Sequence, residues 1–128
     1  MILADTSVWI DHFHKAIPSL AESLEHEEIL MHPFVVGELA CGTLARRREV
    51  LDLLSTLPSS VVATDEEALQ FIERHRLMGK GIGYIDAHLL ASAILTEEAQ
   101  LWTRDKRLGA VAAHLRIGFD ETLPTRFR

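Results

Sequence analysis

Apolar residues fall into short runs and longer periodic stretches that alternate along the chain. Ile2–Ala4 is a compact apolar run that stops at Asp5, the pattern of a buried strand. Thr6 or Ser7 then offers a helix cap ahead of Val8, Trp9 and Phe13, which form an apolar face. Pro18 and Ser19 open a second helix over Leu20 and Leu24. Ile29–Met31 reads as the next strand. Pro33 suits the first turn of a helix that runs through Val36, Leu39 and Ala40 toward Gly42. Val50, Leu51, Leu53, Leu54 and Leu57 predict another helix, stopped by Pro58, and Val61–Ala63 predicts a β-branched third strand. Asp65 is placed to cap a helix carrying Ala68, Leu69, Ile72 and Leu77. Gly79-Lys80-Gly81-Ile82-Gly83 breaks the pattern as a loop, before a strongly apolar helix from Ile85 to Leu95. Leu101-Trp102-Thr103 predicts the fourth strand, Asp105 starts a helix through Leu108, Val111 and Leu115, and Arg116–Phe119 predicts a short last strand.

Strands separated by helices, with no hairpin turns between them, require crossovers and hence a parallel sheet. The expectation is one α/β domain over residues 1–128, three layers thick. Composition agrees: 128 residues, 48% apolar and 25% charged, describe a globular domain with one core. One cysteine, Cys41, excludes an internal disulfide and a cysteine-rich zinc site. No run approaches about 18 consecutive apolar residues, the length of a membrane span. The first residues have no basic stretch of the signal-peptide kind, and a cytoplasmic protein is expected. The net charge of −6 argues, at first sight, against a nucleic-acid partner.

Four of the 19 acidic residues sit in apolar surroundings. Asp5 follows the first strand, Glu38 lies between Val36 and Leu39, Asp86 follows the glycine loop, and Asp105 follows the Leu101–Thr103 run. Each has an ordinary reading alone: Asp5 and Asp105 as helix caps, Asp86 as a first-turn charge, Glu38 as a solvent-facing side chain. Position adds to this, because ligands of open parallel sheets bind beyond the carboxyl ends of the strands. Were the four to converge, each like-charge pair at about 5 Å would repel by roughly 3 kcal/mol at an effective dielectric of about 20. Protons or hard divalent cations would have to neutralise such a cluster, and an all-oxygen set suits metal-assisted phosphodiester hydrolysis.

The stretches Ala4-Asp5-Thr6-Ser7-Val8-Trp9-Ile10, Gly37-Glu38-Leu39, Tyr84-Ile85-Asp86-Ala87-His88-Leu89-Leu90-Ala91 and Thr103-Arg104-Asp105-Lys106-Arg107-Leu108 occur in the order and spacing of a PIN domain. Over nearly its whole length the chain resembles the VapC toxins of toxin–antitoxin pairs. That resemblance implies a parallel five-stranded sheet of order 3-2-1-4-5 flanked by helices. It implies an acidic quartet of Asp5, Glu38, Asp86 and Asp105, which binds Mg²⁺ or Mn²⁺ and cleaves RNA of the tRNA or rRNA class. Polar helpers map to Thr6 (or Ser7, the less favoured choice) and Thr103. The implied partners are RNA, a second copy in a homodimer, and a small VapB-like antitoxin, through which alone DNA would be met. Lys106-Arg107 departs from the acidic or neutral residues many relatives carry after the last acid, so no fifth acidic ligand is assigned.

Arg104, Lys106 and Arg107 flank Asp105 and are the expected phosphate contacts. Arg46-Arg47-Arg48 reads as a solvated helix start, Arg126 and Arg128 as a tail, Cys41 as a small buried filler, and Trp9 and Phe13 as core or dimer contacts. His12 and His14 are two apart, and His88 lies two after Asp86, roughly 200° around a helix, so neither spacing makes a zinc face. Two other functions remain: an RNA-processing PIN nuclease without an antitoxin, and a non-catalytic metal-binding module of PIN or receiver type. A receiver would need an acidic pair after the first strand, where Asp5 stands alone.

Overall fold

The computed structural model describes residues 1–124; Arg126 and Arg128 lie outside them. Three parallel strands form the centre: β1 (Ile2–Ala4), β2 (Ile29–Leu30) and β3 (Gln100–Trp102), in the order β2-β1-β3. Around them lie α1 (Thr6–His14), α2 (Pro18–Glu25), α3 (Pro33–Cys41), α4 (Arg47–Ser55), α5 (Asp65–His75), α6 (Tyr84–Leu95) and α7 (Lys106–His114). The register places Leu3 between Leu30 and Leu101, and β1 is buried along its whole length. That burial is why the strand reads as an unbroken apolar run rather than an alternating one.

Two of the five expected strands are not strands among the described residues. Met31 makes a single parallel bridge to Ser59, and Leu101 makes one to Gly118. These bridges continue the sheet outward on the β2 side and the β3 side, in the positions expected for the third and fifth strands. Val61–Ala63 is not a strand at all, and Val61 and Val62 are exposed. Ser60 N–H donates to the Met31 carbonyl, whereas Val61 N–H turns to the Thr96 hydroxyl and Ala63 N–H to the Ser92 hydroxyl. Polar side chains of α6 thus take the donors that a sheet ladder would have used.

The helix caps differ from expectation in two places. Asp5, rather than Thr6 or Ser7, caps α1. Thr64, rather than Asp65, caps α5: its hydroxyl accepts from Glu67 N–H, and the Glu67 carboxylate accepts from Thr64 N–H. The expected faces of α4 and α5 also shift, with Leu53 and Leu69 pointing to solvent. Leu3, Leu20, Ile29, Leu39, Leu89, Leu90, Leu101, Trp102 and Leu108 form the fully buried core. The apolar character of α6 follows from its place in that core, since Ala87 through Ala93 are all buried. Among the described residues no helix is long and apolar enough to cross a membrane.

Candidate active site

Asp5 and Asp105 occupy the carboxyl ends of neighbouring strands. Asp5 directly follows β1, and its N–H donates to the Trp102 carbonyl at the end of β3. The residue is only 5% exposed. One oxygen, Oδ1, accepts from the Ser7 hydroxyl and from Val8 N–H; the other accepts from the Thr103 hydroxyl. Burial pushes the Asp5 pKa above the usual carboxylate range, against the pull of the Ser7, Thr103 and Val8 donors.

Asp105 caps α7, accepting from Leu108 N–H at 2.9 Å, and its own N–H donates to Thr103 Oγ1. Thr103 is therefore a hinge between the two acids, donating to one and accepting from the backbone of the other. Ser7 Oγ lies 3.4 Å from Thr103 Oγ1 and also accepts from Arg104 N–H. Glu38 comes from α3, and its Oε1 accepts from the Thr6 hydroxyl at 2.6 Å. Asp86, in the first turn of α6, accepts from Gly83 N–H at 3.2 Å.

The clearest sign of convergence is the electrostatics of Asp86. Burial raises its pKa, the Gly83 N–H opposes that, and the charges of Asp5, Asp105 and Glu38 all raise it further. Side chains spread over 100 residues of sequence thus feel one another's charge. The capping readings of Asp5 and Asp105 hold as well; capping leaves part of each carboxylate's acceptor capacity unused.

Thr6 and Ser7 divide the task expected of one hydroxyl: Thr6 holds Glu38, and Ser7 holds Asp5. Sequence alone favoured Thr6. The signal for Ser7 is its spacing two residues after a helix-capping aspartate, where a hydroxyl can turn back to the carboxylate.

Arg104 is already engaged, because its guanidinium pairs with Asp11 at 3.2 Å and with Glu121 at 2.9 Å. Lys106 and Arg107 are exposed and take part in no ion pair among the described residues. Arg47 closes the end of α3 on the Ala40 and Gly42 carbonyls, and Arg46 faces Glu49. Cys41 is exposed rather than a buried filler. Trp9 is buried and packs on Phe13, as a core residue does. His88, also buried, directs Nε2 to Asp65 Oδ1, which Tyr84 O–H reaches as well, so the start of α6 is tied to the start of α5.

Among the described residues no three His, Cys, Asp or Glu side chains are gathered into a ready-made metal cage. The donor set nevertheless fits a hard divalent ion. Mg²⁺ keeps most of its waters and needs only one or two carboxylates. Glu38, Asp86 and Asp105 each have one oxygen held by a protein donor; the second oxygen takes no hydrogen bond among the described residues. An orienting bond on one oxygen with the other left open is the arrangement of a carboxylate positioned for a cation.

Comparison with known proteins identifies the family. The PIN domain family model matches residues 2–114, which takes in all four acids. The chain is 47% identical over 121 residues to Ribonuclease VapC32 of Mycobacterium tuberculosis strain CDC 1551 / Oshkosh, covering 94% of this chain and 98% of that relative. Ribonuclease VapC32 of strain ATCC 25618 / H37Rv matches with the same identity and coverage. The chain belongs to the VapC family of PIN-domain ribonucleases.

Proposed function

We propose that this chain is an Mg²⁺- or Mn²⁺-dependent endoribonuclease, the toxin of a toxin–antitoxin pair, which cuts RNA of the tRNA or rRNA class and so stops translation. The observation that carries the reading is the convergence of Asp5, Glu38, Asp86 and Asp105 at the carboxyl end of the parallel sheet, expressed in the raised pKa of Asp86. The names of the relatives, both ribonucleases, support the reaction class.

Glu38, Asp86 and Asp105 would hold the ion through their open oxygens, and Asp5 through its remaining acceptor capacity. A bound divalent ion supplies an activated water and charge neutralisation at the phosphate. The chain's own groups do the orienting. Ser7 and Thr103 fix both oxygens of Asp5, Thr6 fixes Glu38, Gly83 N–H fixes Asp86, and Leu108 N–H fixes Asp105. Burial of Asp5 lowers the local dielectric, which strengthens every charge interaction there.

The toxin role further implies a cytoplasmic homodimer neutralised by a VapB-like antitoxin. The test is induction in bacterial cells with mapping of new RNA 5′ ends. The wild-type chain is expected to create discrete new ends in tRNA or rRNA, and the Asp5→Asn variant none. Identical end maps for the two would remove the nuclease reading; cuts confined to precursor ends would favour RNA processing over growth arrest.

A further inference from the structure

Residues next to Asp105 and close before Asp86 in the chain line a groove of the opposite charge. An open groove of about 590 Å³ runs between the carboxyl end of α5, the glycine loop and α7, lined by Arg76, Lys80, Lys106 and Arg107 with His75 and His114. Leu77, Ala110 and Val111 complete the lining, and no carboxylate contributes to it. We propose that this groove holds the phosphodiester backbone of the RNA strand next to the bond being cut. The proposal rests on the nuclease reading and adds to it where the substrate lies.

Four observations point to a polyanion. The first is the absence of neutralisation. In a chain of net charge −6, Arg104 is paired with Asp11 and Glu121 and Arg46 with Glu49. The four groove cations, like Lys15, Arg47, Arg48, Arg74 and Arg116, are in no ion pair among the described residues, and what sets the four apart is that they line one groove without a carboxylate. Cations held together without a counter-ion repel one another, and a bound polyanion removes that cost.

The second is continuity. Lys106 and Arg107 form the first turn of α7, immediately after Asp105, and Lys80 belongs to the loop that leads into Gly83 and Asp86. The same helix start and the same loop thus carry both an acid of the site and cations of the groove, as a strand bound at both requires.

The third is the placement of Arg107. Gly81 has φ +80°, and a Cβ there would meet Arg107 Cδ at 2.5 Å and Nη1 at 2.9 Å. The arginine lies against loop backbone that only a glycine leaves free. Lying exposed along the glycine loop, the Arg107 guanidinium is open to bidentate contact with a phosphate.

The fourth is the kind of recognition available. The lining is mostly cations and aliphatic groups without a side-chain amide, and of its two rings, His75 and His114, His75 already packs on Phe71. Contacts of this kind grip a backbone without choosing its sequence. The groove then governs how tightly RNA is held, and the choice of cut site falls to other surfaces.

The experiment measures binding of a fluorescent single-stranded RNA oligonucleotide to the full chain across a series of KCl concentrations, in chelator so that no strand is cut. The variants are Arg76→Gln, Lys80→Gln, Lys106→Gln and Arg107→Gln, singly and together, with Arg46→Gln as a distant cation control. Each lost phosphate contact is expected to flatten the slope of log affinity against log salt by about 0.7, so that the fourfold variant loses roughly 3. In Mg²⁺ the same variants raise KM with kcat near its wild-type value, by about tenfold or more for the fourfold variant near 0.15 M salt. Gly81→Ala, which displaces Arg107, shifts KM in the same direction. Circular dichroism of each variant shows that the surface changes leave the fold intact.

An unchanged slope in the folded fourfold variant overturns the groove assignment while wild-type cleavage leaves the nuclease reading standing. A wild-type chain that neither binds nor cuts RNA overturns both. A loss equal to that of Arg46→Gln identifies general charge rather than the groove, and overturns the assignment too.

Discussion

Asp86 is the side chain on which the site's electrostatics meet. Its pKa is raised by burial and by the charges of Asp5, Asp105 and Glu38. The folded chain therefore binds this proton more tightly than the unfolded chain. Such a group contributes most to stability below its unfolded pKa, and that contribution is lost as pH rises through the folded value. At neutral pH and without metal the ionised carboxylate works against the fold. Asp86→Asn keeps an oxygen for Gly83 N–H and removes the charge. It is expected to raise the thermal midpoint in chelator at pH 7 by a few degrees, with the difference closing toward acid pH, while cleavage in Mg²⁺ falls by more than about 100-fold. Differential scanning calorimetry and a cleavage assay read the two effects; a variant less stable than wild type in chelator would contradict the repulsion argument. Ser7→Ala and Thr103→Val remove the hydroxyl bonds that orient Asp5, together with the acceptors of Arg104 N–H and Asp105 N–H, and each is expected to cost about 10- to 100-fold in activity. These residues also show what sequence can and cannot convey. The four acids stood out because each has apolar sequence neighbours within a recognisable motif, although only Asp5 is buried and Glu38 and Asp105 are exposed. The allocation of Thr6 to Glu38 and Ser7 to Asp5 was not, because adjacent hydroxyls differ only in which distant carboxylate they reach. The ion pairs of Arg104 were hidden for the same reason: its partners Asp11 and Glu121 lie 93 and 17 residues away.

At the scale of elements, the helices were legible from period and caps, and the sheet only in its buried middle. Val61–Ala63 has strand propensity, but propensity reflects packing on a half-buried surface. With Val61 and Val62 exposed and the Val61 and Ala63 N–H groups taken by Thr96 and Ser92, no ladder forms there. The same region holds a buried polar element that the sequence did not reveal. His32 caps α3 by accepting from Phe34 N–H on Nδ1, which leaves the proton on Nε2 to reach Ser92 Oγ at 3.0 Å. Burial first, then the nearby His88, lowers the His32 pKa to about 4. The unfolded chain thus takes up a proton near pH 6.5 that the folded chain refuses until about pH 4. Stability should fall across that window by about 3 kcal/mol at the limit. Protonation at Nδ1 also removes the cap of the helix that carries Glu38. Urea denaturation at pH 7 and pH 5 is expected to show this loss in the wild-type chain and much less of it in His32→Asn, whose side-chain oxygen caps without titrating. An equal loss in both would assign the acid sensitivity elsewhere.

At the scale of the whole molecule, the net charge of −6 misdirects only while it is treated as a uniform property. Four acids are concentrated at one end of the sheet; setting them aside leaves 13 bases against 15 acids, with four bases gathered in the adjoining groove. The molecule is therefore a polarised object, one patch suited to divalent cations and the next to phosphates. On the proposed reading, a bound cation would stabilise the fold as well as serve as a reagent. An ion that binds the folded chain alone adds about 2.7 kcal/mol at 100 times its dissociation constant. For a domain of this size that corresponds to a rise of about 10 °C in the thermal midpoint. Mg²⁺ and Mn²⁺ should each produce a saturable rise. KCl at matched ionic strength should produce a smaller one without saturation, because screening relieves repulsion among the acids but does not bridge them. Asp86→Asn should start from a higher midpoint in chelator and gain less from the divalent ion, so that the two curves converge as metal is added. Parallel curves for wild type and variant, or a KCl response equal to that of Mg²⁺, would show that the acids feel the salt collectively and do not hold an ion.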